Sequence, residues 1–193
     1  MDLYEAIKSR RSIGRVKDEA ISRETIELIL EAGNWAPSHH STEPWRFYVM
    51  RGEGRNVLAK AYGDIAVETA KPGHAADEAE LRAKQGAKAF RAPVVIAVAA
   101  SPSKEPQVNR SEEFAAVHAA VQNMLLAAHA AGLGAIWRSG EPMYHPIMNR
   151  AFGLNEDEQL TALIYLGYPD MPTPAKSRRP FQEKTVWIDT AAR

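Results

Sequence analysis

The sequence predicts a single domain of mixed helix and strand, organised around one buried helix. Three observations carry that reading. An alanine-rich stretch from Ser111 to Gly132 places Phe114, Val117, Val121, Met124, Leu125 and Ala128 at three- and four-residue steps, the helical period, with alanine in most of the gaps. A helix this apolar expects to be covered on most sides. Four short runs, 46–50, 94–99, 135–137 and 160–166, are dominated by aliphatic and aromatic residues and read as strands. Finally, 193 residues suit one domain with a substantial core.

The elements follow in order. Asp2 caps a first helix that turns Leu3, Ala6 and Ile7 inward. It runs into Lys8-Ser9-Arg10-Arg11-Ser12-Ile13-Gly14-Arg15, four cations around two serines and a glycine. Guanidinium forks and a hydroxyl match phosphate oxygens, while a basic helix end complementing the dipole is the plainer alternative. Ser22 caps a second helix with Ile26, Ile29 and Leu30 inside, closing near Gly33. A polar loop between Trp35 and Trp45, pinned by Pro37 and Pro44, has the composition of a binding loop. After the strand at 46–50, Gly52-Glu53-Gly54-Arg55-Asn56-Val57 supplies only two of the three glycines of a dinucleotide fingerprint, so it reads as a tight turn before a helix.

Residues 57–90 read as two polar helices interrupted at Pro72-Gly73, forming a peripheral excursion. The 94–99 run is a buried strand, and 101–109 is a surface loop. Ser111 then caps the long helix, with Glu112 and Glu113 complementing its dipole. Gly132 ends it, and 135–137 delivers a Trp137-Arg138-Ser139-Gly140 corner. Pro146 opens a helix that Gly153 stops, and 160–166 is the last core strand. The tail carries Lys176-Ser177-Arg178-Arg179 and an apolar Val186-Trp187-Ile188, placed to dock on a neighbouring subunit.

Several function classes are excluded. Lysine plus arginine and aspartate plus glutamate are 24 each, so no global field favours nucleic acid or a membrane surface, and any anion site is local. The absence of cysteine removes disulfides, thiolate metal sites and cysteine nucleophiles. None of the six histidines has the spacing of a zinc motif, so no metal is expected. Ser139 lies outside a G-x-S-x-G elbow, and no phosphate-binding P-loop occurs. With no leader pattern at the start and no membrane-length apolar run, a cytoplasmic protein is expected. Two basic clusters, an aromatic loop and the W-R-S-G corner remain. Together they suit a flat aromatic cofactor with a phosphate tail, and no acid–base or nucleophile set competes with cofactor chemistry.

At this point the chain resembles the nitroreductase family of FMN-dependent oxidoreductases, in particular its short NAD(P)H nitroreductase branch. The carriers are Arg10-Arg11-Ser12 with Arg15, Ala36-Pro37-Ser38, Pro44-Trp45-Arg46-Phe47, residues 132–137, Leu166-Gly167-Tyr168-Pro169 and Arg178-Arg179-Pro180-Phe181, in order along nearly the whole chain. The resemblance implies an α+β fold: a central, mainly antiparallel sheet flanked by helices, in an intertwined homodimer. It implies one domain over residues 1–193, with the tail 169–193 on the partner subunit and FMN at the interface. Arg10, Arg11 and Ser12 would hold the phosphate and pyrimidine side, with Arg178 or Arg179 adding to the grip. Trp35 and His39 would contact the flavin from the partner, and Trp137, Arg138 and Ser139 would line it. Two residues depart from the family pattern. Glu43 replaces an amide and cannot donate its hydrogen bond, leaving pairing with an arginine; Trp35 replaces an arginine.

The implied activity is hydride transfer from NAD(P)H through FMN to a nitroaromatic, quinone or similar small acceptor, with no catalytic side chain. The alternative is a flavin-binding or flavin-handling protein of the same fold without nicotinamide-dependent turnover.

Overall fold

A computed structural model describes residues 1–70 and 77–190. The expected break at Pro72-Gly73, His74 and the last three residues of the tail lie outside them. Four strands, β1 (Trp45–Arg51), β2 (Val94–Ala100), β3 (Gly134–Arg138) and β4 (Gln159–Gly167), form one sheet in the order β1-β2-β4-β3, every pair antiparallel. Helices cover both faces, so the α+β expectation holds. β2 is buried at every position because it lies inside the sheet with a helical layer on each side. Val94, Ile96, Val98 and Ala100 enter one core, and Val95, Ala97 and Ala99 enter the other.

The first layer holds α1 (Leu3–Ser9), α2 (Arg23–Asn34) and the long helix, which we number α5 (Arg110–Ala130). Val117, Ala120, Val121, Met124 and Ala128 of α5 are fully buried against the sheet and α2. Each large side chain buried here contributes about 1.5–3 kcal/mol. Gly33 makes the α2–α5 approach possible, since a Cβ there would lie 2.8 Å from Met124 Cγ. The N-cap of α5 is Asn109 rather than Ser111: its extended backbone lets the side chain accept from the Ser111 N–H, so Ser111 already sits inside the first turn. At the other end Gly132 adopts φ +77°, and the Leu133 N–H donates to the Ala128 carbonyl at 2.9 Å, closing the helix.

The second layer corrects the expectation for residues 57–90. The helix α3 (Asn56–Glu68) buries Leu58, Ala61 and Ile65 in the core of the far face, beside Met143 of α6 (Glu141–Tyr144) and Met148 of α7 (Pro146–Ala151). A sheet apolar on both faces needs a second cover, and α3 provides it. Only α4 (Glu78–Gly86) is peripheral; it packs on α3, where Gly63 and Gly86 allow close approach.

In α1, Ala6 is buried, but Leu3 and Ile7 are 65% and 51% exposed, opposite to the expectation of an inner face. Tyr4 beside them is exposed too. The tail folds back on nothing extensive: Val186, Trp187 and Ile188 stand exposed. No helix among the described residues is long and apolar enough to cross a membrane.

Candidate functional site

Two glycines place the basic segment. Gly134 opens β3 and pairs in register with Gly167 at the end of β4. A Cβ on Gly134 would lie 2.8 Å from Ile13 Cγ2, and one on Gly167 would lie 2.6 Å from Val16 Cγ2. Their bare backbones let the stretch after α1 lie directly over the β3–β4 pair. The Ile13 N–H donates to the Ala135 carbonyl at 3.0 Å, and the Lys17 N–H to the Tyr168 carbonyl at 2.8 Å. Arg10, Arg11 and Ser12 are thereby fixed beside the exit of α5. Ser9 adds a side-chain link to that exit, with its hydroxyl 2.8 Å from His129 Nε2.

Arg10, Arg11 and Arg178 converge there. Burial, then the charges of Arg11 and Arg178, push the Arg10 guanidinium below its ordinary value. His129 is also held down, by burial and then by Arg10. Arg11 spends one nitrogen on the Lys8 and Arg10 carbonyls at 2.6 and 2.8 Å, another on the Lys176 carbonyl at 3.4 Å, and keeps a buried Nε without a partner. It therefore ties α1 to the tail as well as adding charge. No ion pair to Arg10, Arg11 or Arg178 occurs among the described residues. Arg15 does not join them, being held by Asp170 at 3.4 Å. Clustered arginines without an ion-paired acid fit a phosphate group.

The W-R-S-G corner stands at the end of β3. Successive strand residues face opposite sides, so Trp137 turns to α5 and Arg138 to the second layer. Trp137 lies 5.5 Å from the His118 ring and donates its indole N–H to the Thr161 carbonyl at 3.2 Å. Arg138 lies 5.4 Å over the Tyr165 ring with its Nη2 near Gly14, and its Nε is buried without a partner. Ser139 is exposed, and Gly140 turns the chain at φ +116°.

Trp35 and His39 lie elsewhere. Trp35 is 78% exposed, its indole N–H donating to Glu31 at 2.6 Å. His39 belongs to a loop in which His40, Ser41 and Glu43 all have positive φ without being glycine. That strain is held by Glu113, fully buried in the first turn of α5: its carboxylate accepts from the Thr42 hydroxyl at 2.6 Å and from the Ser103 N–H at 2.9 Å. This loop is tied to Glu113, whereas Arg10 is tied through Ser9 to His129. At 1.5 Å per residue these points are about 24 Å apart along α5. Glu43 has no arginine partner among the described residues; its backbone N–H donates to Ser38 Oγ at 3.2 Å.

Sequence reasoning missed two features. Glu113 read as a dipole-complementing acid, although it falls on the buried stripe of Val117, Ala120 and Met124, which was the available signal. A cavity of about 410 Å³ beside Arg138, with Tyr62, Lys88, Arg91, Ser139 and Tyr165 in its lining, carried no sequence signal. Burial, then Tyr62, raises the Tyr165 phenol well above its usual range, so it remains protonated. A larger groove of about 710 Å³ lies between α3, α4 and α7, and there Asp64 bridges Lys60 and Arg82.

The helix-covered antiparallel sheet, with an arginine–serine segment beside a helix exit, is an α+β architecture that solved structures of nitroreductase-like proteins share. The crystal structure of a nitroreductase-like family protein from Bacillus cereus superposes with a TM-score of 0.84 at 30% identity, covering 98% of this chain and 97% of that one. The crystal structure described as "a putative nitroreductase in complex with fmn" from Desulfovibrio desulfuricans superposes with a TM-score of 0.73 at 33% identity over 99% of both chains. The protein named "Putative NAD(P)H nitroreductase YdjA" in Escherichia coli K12 is 36% identical over 171 residues, covering 89% of this chain and 90% of its own. Residues 7–168 match the model of the nitroreductase family, and the chain belongs to that family of oxidoreductases.

Proposed function

We propose that the protein is a homodimeric, FMN-dependent oxidoreductase that uses NAD(P)H to reduce a small acceptor such as a nitroaromatic or quinone. The observation that carries this is the uncompensated Arg10–Arg11–Arg178 cluster, positioned by the glycine pair of β3 and β4. Bound FMN would supply the redox chemistry, taking up electrons from the nicotinamide and giving them to the acceptor. The protein's part is to bind and orient. Arg10 and Arg178 would hold the phosphate, and Ser12 and the Trp137–Ser139 corner would line the ring.

The homodimer is part of the same reading, and what motivates it is the placement of His39 at the far end of α5 from Arg10. One ligand can meet both only if a second copy of the chain supplies the 38–43 loop, and with it Trp35. Support comes from the surface beside that helix. Ala115, His118 and Gln122 of α5 and Leu3, Tyr4 and Ile7 of α1 are exposed, and so is the apolar end of the tail, which would dock on the partner.

The test is to titrate flavin-free protein with FMN and then assay NADH and NADPH oxidation with and without a nitroaromatic. We expect saturable FMN binding, weakened about tenfold or more in Arg10→Ala by loss of a charge-assisted contact, and acceptor-dependent oxidation. Unchanged affinity in Arg10→Ala overturns the phosphate assignment.

A further inference from the structure

Lys88, Arg91 and Arg138 surround the cavity of about 410 Å³, and no acid lines it. None of the three forms an ion pair among the described residues. Two of them ride on aromatic faces, which hold a cation without neutralising it: Lys88 Nζ lies 5.9 Å from the Tyr62 ring, and Arg138 lies 5.4 Å from the Tyr165 ring. The buried Arg138 Nε has no acceptor. The Tyr62 and Tyr165 hydroxyls are 3.3 Å apart, so one donates to the other and one proton is left for a ligand. Three cations and a free phenol donor, with apolar walls and no counter-charge, form a pocket complementary to oxygen anions.

We infer that this cavity receives an oxyanion, a carboxylate or a phosphate, carried by the molecule that exchanges electrons at the neighbouring Ser139 corner. The inference rests on the proposed flavin-dependent function. The cofactor's own phosphate is assigned to Arg10 and Arg178 and its ring to Ser12 and the Trp137–Ser139 corner, which leaves Lys88 and Arg91 for the exchanging partner. An acidic acceptor and a phosphate of the nicotinamide donor present the same chemistry, and the measurement separates them.

Calorimetry on the oxidised, FMN-loaded protein compares 4-nitrobenzoate with the neutral 4-nitrobenzamide, and the unreactive NADP+ with NAD+, in the wild type and in Lys88→Gln/Arg91→Gln. FMN content and Tm are recorded for both proteins. The wild type should favour the more anionic member of at least one pair by about tenfold or more, and the double variant should bring that ratio towards one. A shift in the acceptor pair identifies a carboxylate-bearing acceptor, and a shift in the nicotinamide pair identifies the donor phosphate. Ratios insensitive to the substitutions overturn the inference, as does a double variant whose defect is loss of FMN, because the pocket then serves the cofactor. Absence of FMN binding in the wild type would instead defeat the proposed function. The same calorimetry on that flavin-free protein still decides the oxyanion site.

Discussion

Gly134→Ala should disturb both the fold and the candidate site through one contact. The added Cβ would sit 2.8 Å from Ile13 Cγ2 and 2.9 Å from Ile13 Cβ, where carbon atoms rest at about 3.5–4.0 Å. Ile13 would have to retreat by about 1 Å. It is 6% exposed and pinned by its N–H to the Ala135 carbonyl, so it has little room to do so. Overpacking of this kind costs about 1–3 kcal/mol. In a chain of this length that corresponds to a fall in Tm of about 2–12 °C. Because the displaced stretch carries Arg10 and Ser12, FMN affinity should fall as well. The assay is thermal unfolding by circular dichroism together with FMN titration, run beside Gly54→Ala. A Cβ on Gly54 meets nothing within 4 Å, so that control should hold or slightly raise Tm. A Gly134→Ala protein matching the wild type in both readouts would refute the argument that this glycine seats the basic segment.

Glu113→Ala should cost about 1–3 kcal/mol by leaving the Thr42 hydroxyl and Ser103 N–H without their acceptor, and limited proteolysis should cut the 38–43 loop faster; unchanged cleavage would show that the strained loop holds itself. Glu158 gives a pH signature. Burial alone would raise its pKa, but the Asn155 N–H, the Ser101 hydroxyl and Arg46 at 2.6 Å outweigh it and hold the carboxyl down to about 2 from an ordinary 4.5. Its contribution is therefore present above pH 4.5 and lost as pH falls towards about 2, so Glu158→Gln should flatten that part of the Tm–pH curve; an unaltered acid limb would contradict this. Truncation after Pro180 removes the exposed Val186-Trp187-Ile188 and should shift the elution volume towards monomer; an unchanged volume would detach the tail from dimerisation.

The fold was largely legible because its strands are short apolar runs between glycine and proline, and α5 declares its period. Where the reading failed, tertiary packing overrode local pattern. Residues 57–90 looked too polar for a core because α4 dilutes the signal of α3, whose three buried apolar side chains, Leu58, Ala61 and Ile65, are enough to cover the sheet. Leu3 and Ile7 looked inward because an apolar residue on a helix carries no mark of whether its cover lies within the chain or outside it. At the site, Arg10, Arg11 and Ser12 were visible as a local cluster. The cavity beside Arg138 was not, because Tyr62, Lys88 and Tyr165 come from distant segments that only the sheet and α3 bring together.

The central claim is flavin-mediated electron transfer from a nicotinamide, and anaerobic reduction tests it most directly. Purified protein loaded with FMN should be yellow, bleach when NADH or NADPH is added without oxygen, and regain its colour when a nitroaromatic or quinone is introduced. Protein that cannot be loaded with FMN, or whose bound flavin keeps its colour with both nicotinamides, would contradict the account.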